Sequence, residues 1–280
     1  MNKKQLAKTV AIILICVVID ITLHAITSAY STMPENPNYS KFAELFGPEI
    51  TATLWALLAF SGAAGVFYRI QSSIPGVGFT KGLRYGTAIS LLWLFAMLEG
   101  VTLFGNAIIN EFVVGLSDAI PVFLMAILLS LSVAKKKENS QLKQLTLSQK
   151  ILTVCVFTGV FFIGRYIAYF TGVIQSGYET SPLYTFFWTL LMGACIGVAC
   201  IQLENRGNAL FLKSGAVKFC LLFFGVNWAT FLIFMPLLFS GFITDVLSRI
   251  ILDILLVTIG YCLAVSPRIK FLKEVNPENA

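Results

Sequence analysis

The sequence predicts an all-α polytopic membrane protein with eight transmembrane helices. Of the 280 residues, 57% are hydrophobic and only 12% are charged, which is outside the usual composition of soluble domains. Apolar runs of about 20 residues, the length that crosses a bilayer as a helix, occur eight times. They lie near residues 8–30, 51–70, 85–104, 108–133, 150–173, 183–202, 211–239 and 244–265.

The positive charges predict how these helices are oriented. Short loops rich in Lys and Arg stay in the cytoplasm. With the N-terminus inside, every basic loop and tail residue except Lys41 is cytoplasmic, and an even number of spans places the C-terminus there too. Compact, short loops favour a bacterial cytoplasmic (inner) membrane. The basic residues are spread beside helix ends, which indicates membrane lipids as partners and no nucleic acid.

The chain divides into two units of four spans. We place a first four-helix unit at 1–134, a charged cytoplasmic linker at 135–149, and a second four-helix unit with a cytoplasmic tail at 150–280. Trp55 in the second span aligns with Trp188 in the sixth, and Asp118 in the fourth aligns with Asp253 in the eighth. Because four is an even number, two such repeats have the same orientation in the membrane.

Small residues recur at the same place in both units. Ser61-x-x-x-Gly65 follows Trp55, and Gly193-x-x-x-Gly197 follows Trp188. This spacing lets two helices approach closely in lipid. It predicts close packing of the second and sixth spans, either within the chain or in a homo- or hetero-oligomer.

Short motifs in the first unit resemble a group of small bacterial four-helix inner-membrane proteins of unassigned function. The first span ends in Leu23-His24, an outer loop contains Tyr39, and Lys81 to Gly86 read Lys-Gly-Leu-Arg-Tyr-Gly at the entry to the third span. The resemblance implies architecture only, over roughly residues 10–133. The second unit lacks both the His and the Lys-Gly-Leu-Arg-Tyr-Gly stretch.

Ionisable residues inside apolar spans are the best pointer to function in this chain. A charge at the bilayer centre costs at least about 2.5 to 3.5 kcal/mol, so such residues usually face a bundle interior or a wet cavity. Counting along each helix places these charged groups between the midplane and the outer surface, with one neutral amide near the midplane. The candidate ligand- or ion-binding residues are Asp20, His24, Glu99, Asp118, Arg165, Asn227, Arg249 and Asp253.

The fourth span is the leading candidate for lining an outward-facing polar cavity. Glu111, Gly115 and Asp118 fall on one face of it, and Pro121 leaves the carbonyl of Ser117 without its helical donor. The outer segment 31–48 contains a short amphipathic helix, which either caps the cavity or serves as a plain connector.

A structural interpretation of the same charges stands beside the functional one. Asp245, Arg249 and Asp253 are spaced for an intrahelical ladder. Arg165 can pair with Asp118 or Asp20, and Asp20 can orient His24 one turn away. Glu111 and Asp245 lie close enough to the rim to be solvated.

These observations favour a transporter- or permease-like protein that binds a cation, proton or small polar solute. The alternatives are an interaction or accessory protein whose buried charges are structural, or a lipid-modifying intramembrane enzyme using Asp20, His24 and Glu99. His24 is the only histidine, which excludes multi-histidine zinc sites. The six cysteines, without a Cys-x-x-Cys pair, indicate packing. We predict no catalytic residue, no metal site and no cofactor.

Overall fold

The protein is an all-helical bundle in a computed structural model that describes residues 3–34, 36–134, 145–203 and 215–275. Most of the predicted linker, residues 135–144, lies outside the described residues. Eight helices are long and apolar enough to cross a membrane, which is the architecture of a multi-pass membrane protein. We number these spans α1 to α8. Their bounds are α1 Lys3–Ile26, α2 Pro48–Ile70, α3 Phe79–Leu103, α4 Ile108–Ser132, α5 Leu147–Phe170, α6 Pro182–Leu203, α7 Val217–Leu238 and α8 Ile243–Val275.

Two spans are interrupted, both where they approach the same end of the bundle. The helix of α3 runs from Phe79–Met97 and resumes as Glu99–Leu103. Span α7 begins as a π-helix, Val217–Val226, and continues as Asn227–Leu232 and Phe234–Leu238. Pro236 explains the second break in α7, because it has no N–H to donate and its ring collides with the preceding turn. Span α4, in contrast, continues through Pro121 as one helix.

The four connections at one end of the bundle form what we call the far face. They are residues 27–47, 104–107, 171–181 and 239–242. The first of these connections contains the helix Lys41–Phe46, within the segment where the sequence predicts one. It is fixed to the last connection, because the Ser40 N–H donates to the Leu238 carbonyl at 3.0 Å and the Ser240 N–H donates to the Asn38 carbonyl at 2.9 Å.

Glycines allow close packing of helix pairs inside each half of the chain. A Cβ atom on Gly82 of α3 would lie 2.8 Å from the Ile127 Cα in α4, and one on Gly197 of α6 would lie 2.8 Å from the Val154 Cα in α5. The Gly193-x-x-x-Gly197 pattern therefore packs α6 on α5. Among the described residues, Gly65 has no neighbour within 4 Å of its Cβ position, so the matching pattern in α2 makes no such contact with that part of the chain.

The halves meet through two reciprocal pairs of spans, α2 with α7 and α3 with α6. The Trp55 indole N–H in α2 donates to the Thr230 carbonyl in α7 at 2.8 Å. The Trp188 indole N–H in α6 donates to the Phe95 carbonyl in α3 at 2.7 Å. One tryptophan of each half thus donates a hydrogen bond to a main-chain carbonyl of the other half.

Candidate functional site

A cavity of about 1160 Å³ opens at the far face. All four far-face connections contribute to its wall, as do the ends of α1, α2, α3, α4, α7 and α8. Asn110, Glu111, Val114 and Asp118 line it from α4, so the predicted face of the fourth span is the one that the structure turns towards the cavity. Segment 31–48 covers part of the opening, since Ser31 to Pro34 and Tyr39 also line it.

Asp20, His24 and Asp118 form one cluster on the cavity wall, which we call the open cluster. Their potential ligand atoms all lie within 4.8 Å of one another. His24 Nε2 lies 3.0 Å from Asp118 Oδ1. The His24 side chain is 37% exposed, whereas the Asp118 side chain is 4% exposed. The cluster is therefore buried at its base and reachable from the cavity at the histidine.

Local sequence and helix packing assemble the open cluster. Asp20 and His24 are four residues apart on α1, so they lie one turn apart on one face. That face packs against α4, where a second contact holds the two helices in register: Thr27 Oγ1 lies 3.1 Å from Ser117 Oγ. The histidine therefore meets Asp118 from α4, in contrast to the predicted pairing with Asp20.

One carboxylate oxygen of Asp20 is not satisfied by the part of the chain that the structure describes. It is 3% exposed, and its Oδ1 atom has no hydrogen-bond partner among the described residues. Buried polar atoms in proteins almost always have a partner, and an exception calls for an explanation such as a bound ion. A second carboxylate, that of Asp118, is in the same cluster, which makes the lack of a compensating donor more costly.

The second cluster, which we call the closed cluster, is built around Arg165 of α5. Its Nε and Nη2 atoms donate to the two carboxylate oxygens of Asp253 at 2.7 and 2.5 Å, and its Nη1 donates to Glu99 Oε1 at 2.8 Å. The Trp228 indole N–H donates to Asp253 Oδ2 at 2.9 Å. Arg165 and Asp253 are both completely buried, so this is a dry, bidentate ion pair.

Arg249 links the closed cluster to the cavity wall. Its Nη1 donates to Glu99 Oε1 at 2.5 Å, its Nε donates to Asp245 Oδ2 at 2.5 Å, and its Nη2 donates to the Gln175 carbonyl. The Gln175 N–H returns a hydrogen bond of 2.6 Å to Asp245 Oδ1. Glu99 and Arg249 line the cavity, and Glu99 Oε1 and the three guanidinium nitrogens of Arg249 are occupied by partners in the protein.

Several sequence expectations need correction in detail. Arg165 pairs with Asp253 and Glu99, at a distance from the predicted partners Asp118 and Asp20. The ladder on α8 has one rung, Asp245 with Arg249, and Asp253 turns to α5. Glu111 is 2% exposed because its carboxylate packs against Gly100, and it is therefore buried where solvation was expected.

The structure places Asn227 away from the cavity wall. Its side-chain amide donates to the Phe223 carbonyl one turn earlier at 2.6 Å, and its Oδ1 atom is buried without a partner among the described residues. Sequence reasoning missed the Trp228 and Gln175 partners and the contact between Thr27 and Ser117. The Trp228 indole carries a signal, because a tryptophan beside a polar residue in an apolar span often needs a hydrogen-bond acceptor. The Gln175 carbonyl carries none, because any residue has one.

Comparison with known proteins returns no relative: no protein-family model, no curated protein and no solved structure matches this chain. The chemistry of the site must therefore be taken from its geometry. The open cluster offers two carboxylates and one imidazole to a ligand entering from the cavity. The closed cluster offers none of its buried charges, because they are already paired.

Proposed function

We propose that this chain is a permease-like membrane protein that binds a cation or a small cation-bearing solute in the cavity at its far face. One observation carries the proposal: a cavity of about 1160 Å³ reaches Asp20, whose buried carboxylate oxygen has no partner among the described residues. Pockets of this kind bind small molecules, with few polar groups on a largely apolar wall.

The charges around the cavity favour a cation as the ligand. Asp20, Glu111 and Asp118 line the cavity together with one partly exposed histidine. Among the described residues, no arginine forms an ion pair with any of these three carboxylates. The two arginines of the closed cluster, meanwhile, are taken by Glu99, Asp245 and Asp253. A site with acids in excess attracts and concentrates positive charge.

The proposal includes a parallel repeat of two four-helix units. Reciprocal indole-to-carbonyl bonds from Trp55 and Trp188 support it, since the donors are 133 positions apart and the acceptors, Thr230 and Phe95, are 135 apart. The ionic contacts support it too. In each half a basic side chain of the first span meets the aspartate of the last span: His24 meets Asp118, and Arg165 meets Asp253.

The far face is the outer surface of a bacterial inner membrane in this proposal, with both termini in the cytoplasm. The basic residues near the opposite end support it. Labelling of intact cells tests it with single-cysteine variants on a background without the six native cysteines. Ser28→Cys at the far face is expected to react with a membrane-impermeant maleimide, and Val77→Cys only after cell lysis. The reverse pattern would invert the topology.

Charge-displacement currents test cation binding directly. Purified protein is reconstituted in liposomes on a solid-supported membrane and exposed to concentration jumps of Na⁺, K⁺, Mn²⁺ and putrescine. The wild type is expected to give a current with at least one of these cations, followed by its uptake into the liposomes. Asp118→Asn is expected to reduce that current at least about tenfold, because the substitution removes one carboxylate from the site. A tenfold change corresponds to about 1.4 kcal/mol.

Glu44→Gln is the matched control for this experiment. It makes the same chemical change on the exposed helix Lys41–Phe46, away from the cavity wall, and is expected to keep the full current. Equal currents in the wild type and in Asp118→Asn, or no current with any of the four cations, would contradict the proposal.

The closed cluster supports an accessory or assembly protein as the second candidate. Its arginines and carboxylates pair with one another, which is the expected arrangement of purely structural charges. Under this alternative the cavity binds no cation and the currents are absent, while crosslinking in native membranes captures the chain with a partner.

A further inference from the structure

We propose that Asp20, His24 and Asp118 bind a divalent first-row transition-metal ion, of the Mn²⁺, Fe²⁺, Co²⁺ or Zn²⁺ class, at the base of the cavity. The inference rests on the proposed function in one respect, since it takes the cavity as the route by which the ion arrives. It goes further in naming the ligand class and the three residues that hold it.

The spacing of the three side chains matches the coordination sphere of such an ion. Bonds to carboxylate oxygen and imidazole nitrogen are roughly 2.0 to 2.2 Å long, so two ligands at right angles lie about 3 Å apart. His24 Nε2 and Asp118 Oδ1 are 3.0 Å apart, and the Asp20 oxygen completes a group within 4.8 Å. Small rotations of side chains that are already neighbours are enough to enclose an ion.

A second and independent observation points to a ligand at this place. Asp20 is more than nine-tenths buried, and its Oδ1 atom lacks any hydrogen-bond partner among the described residues. His24 Nε2 is paired with Asp118 Oδ1, and no hydrogen-bond donor among the described residues reaches Asp20 Oδ1. A cation between the three side chains would satisfy the Asp20 oxygen and would neutralise the two carboxylates that share the site.

The donor set selects the class of ion. Two carboxylates alone would suit Mg²⁺ or Ca²⁺, which prefer oxygen, whereas an imidazole favours transition metals such as Mn²⁺, Fe²⁺, Co²⁺ and Zn²⁺. No thiolate belongs to this group in the described residues, which argues against soft ions such as Cu⁺. Three protein ligands leave coordination positions open towards the cavity, where the 37% exposed His24 side chain lies.

The packing of α1 against α4 positions the three ligand side chains before an ion binds. Asp20 and His24 stand on one face of α1, Asp118 stands on α4, and the contact between Thr27 and Ser117 fixes the two spans one turn further out. Sites built on packed helices are more precise than sites on loops.

Metal binding by the purified, full-length protein in detergent tests the inference. The protein is stripped with a chelator and titrated with MnCl₂, with free Mn²⁺ followed by electron paramagnetic resonance. One ion per chain is expected. Loss of a partner outside the coordination sphere already costs about 10- to 100-fold in metal affinity, so Asp20→Asn and His24→Gln are each expected to weaken binding at least ~100-fold. Glu44→Gln is expected to bind like the wild type.

A spectroscopic readout separates a ligand from a merely structural residue. Nitrogen couplings in the electron spin echo of bound Mn²⁺ are expected in the wild type and in Asp118→Asn at high Mn²⁺, and their loss is expected in His24→Gln. The partly exposed His24 tolerates substitution, so this variant keeps the test valid if Asp20→Asn fails to fold. Absence of binding in the wild type, or unchanged affinity in His24→Gln, would overturn the inference.

The outcomes distinguish this inference from the proposed function. Currents with Na⁺, K⁺ or putrescine, together with no Mn²⁺ binding in detergent, would refute the metal site and leave the permease proposal standing. Stoichiometric Mn²⁺ binding that depends on His24, without any current or uptake in liposomes, would support the metal site and refute the permease.

Discussion

The open cluster joins α1 to α4, the closed cluster joins α5 to α8 and α3, and the two clusters differ in how their charges are satisfied. In the closed cluster, every oxygen of Asp253 accepts a hydrogen bond, from Arg165 and from Trp228. In the open cluster, Asp118 meets a half-exposed His24, and an oxygen of Asp20 has no partner among the described residues. A charge that the protein satisfies itself stabilises a fold, whereas a charge left unsatisfied beside a cavity is available to a ligand.

The surroundings of Arg165 and His24 explain the difference between the clusters. Arg165 lies between aromatic rings, with its Cζ atom 5.2 Å from the ring centres of both Phe161 and Trp188. These rings surround the guanidinium, which donates to the carboxylates of Asp253 and Glu99 and, at 3.4 Å, to the Tyr169 hydroxyl. His24 borders the cavity instead. The open cluster is thus formed by residues of the first half alone, whereas the closed cluster joins Arg165 and Asp253 of the second half to Glu99 of the first.

Removal of Arg165 is expected to have the largest effect. Arg165→Met leaves Asp253 buried without its counterion, and breaking a buried pair in this way costs about 3 to 5 kcal/mol. We expect a large fall in the thermal unfolding midpoint in detergent and poor accumulation in membranes. His24→Gln, the matching change in the open cluster, is expected to leave the midpoint nearly unchanged.

The double variant Arg165→Met with Asp253→Leu sharpens this expectation. Replacing both partners of a buried pair by apolar residues is often tolerated, so the double variant is expected to be more stable than Arg165→Met alone. A double variant that is less stable than Arg165→Met alone would contradict this expectation.

Close helix packing differs between the halves and gives the next largest effect. In Gly197→Val the new side chain meets the backbone of Val154, and overpacking of this kind costs about 1 to 3 kcal/mol. Gly65→Val, at the corresponding place in the first half, enters open space. Unfolding midpoints of the two variants measured side by side check the difference. A loss in Gly65→Val equal to that in Gly197→Val would mean that another chain packs there.

The two tryptophans test the equivalence of the halves with a smaller change. Trp55→Phe and Trp188→Phe each remove one indole-to-carbonyl hydrogen bond, worth about 1 kcal/mol. Trp188→Phe is expected to cost slightly more, because the Trp188 ring also packs on Arg165. Chemical denaturation of both variants gives the comparison. A large loss in one and none in the other would argue against a parallel repeat.

Asp20→Asn is expected to have the smallest effect on stability, and of opposite sign. The change removes a buried carboxylate that repels Asp118, so we expect the metal-free protein to gain up to about 1 kcal/mol, as is common where a site holds strain for function. The thermal midpoint after chelator treatment measures it. A clear loss of stability would show that Asp20 has a structural role.

Sequence reasoning located the spans well and their contacts poorly. The predicted fourth span, 108–133, agrees with Ile108–Ser132, because a run of apolar residues and its flanks are local properties. The predicted first span, 8–30, begins five residues late because Lys3, Lys4 and Lys8 interrupt the apolar pattern without ending the helix. The partners expected for Arg165 and His24 differ from the observed ones, which are Asp253 and Glu99 for Arg165 and Asp118 for His24.

The sequence by itself determined that the chain contains eight apolar helices and that a small set of charges inside them needs partners. Both conclusions follow from the cost of polar groups in hydrocarbon. Only the tertiary structure decided which charges are satisfied. His24 and Asp118 are 94 residues apart, and Arg165 and Asp253 are 88 apart. No local pattern encodes such distances. They arise from how the spans pack, and the same packing leaves one carboxylate oxygen of Asp20 beside the cavity.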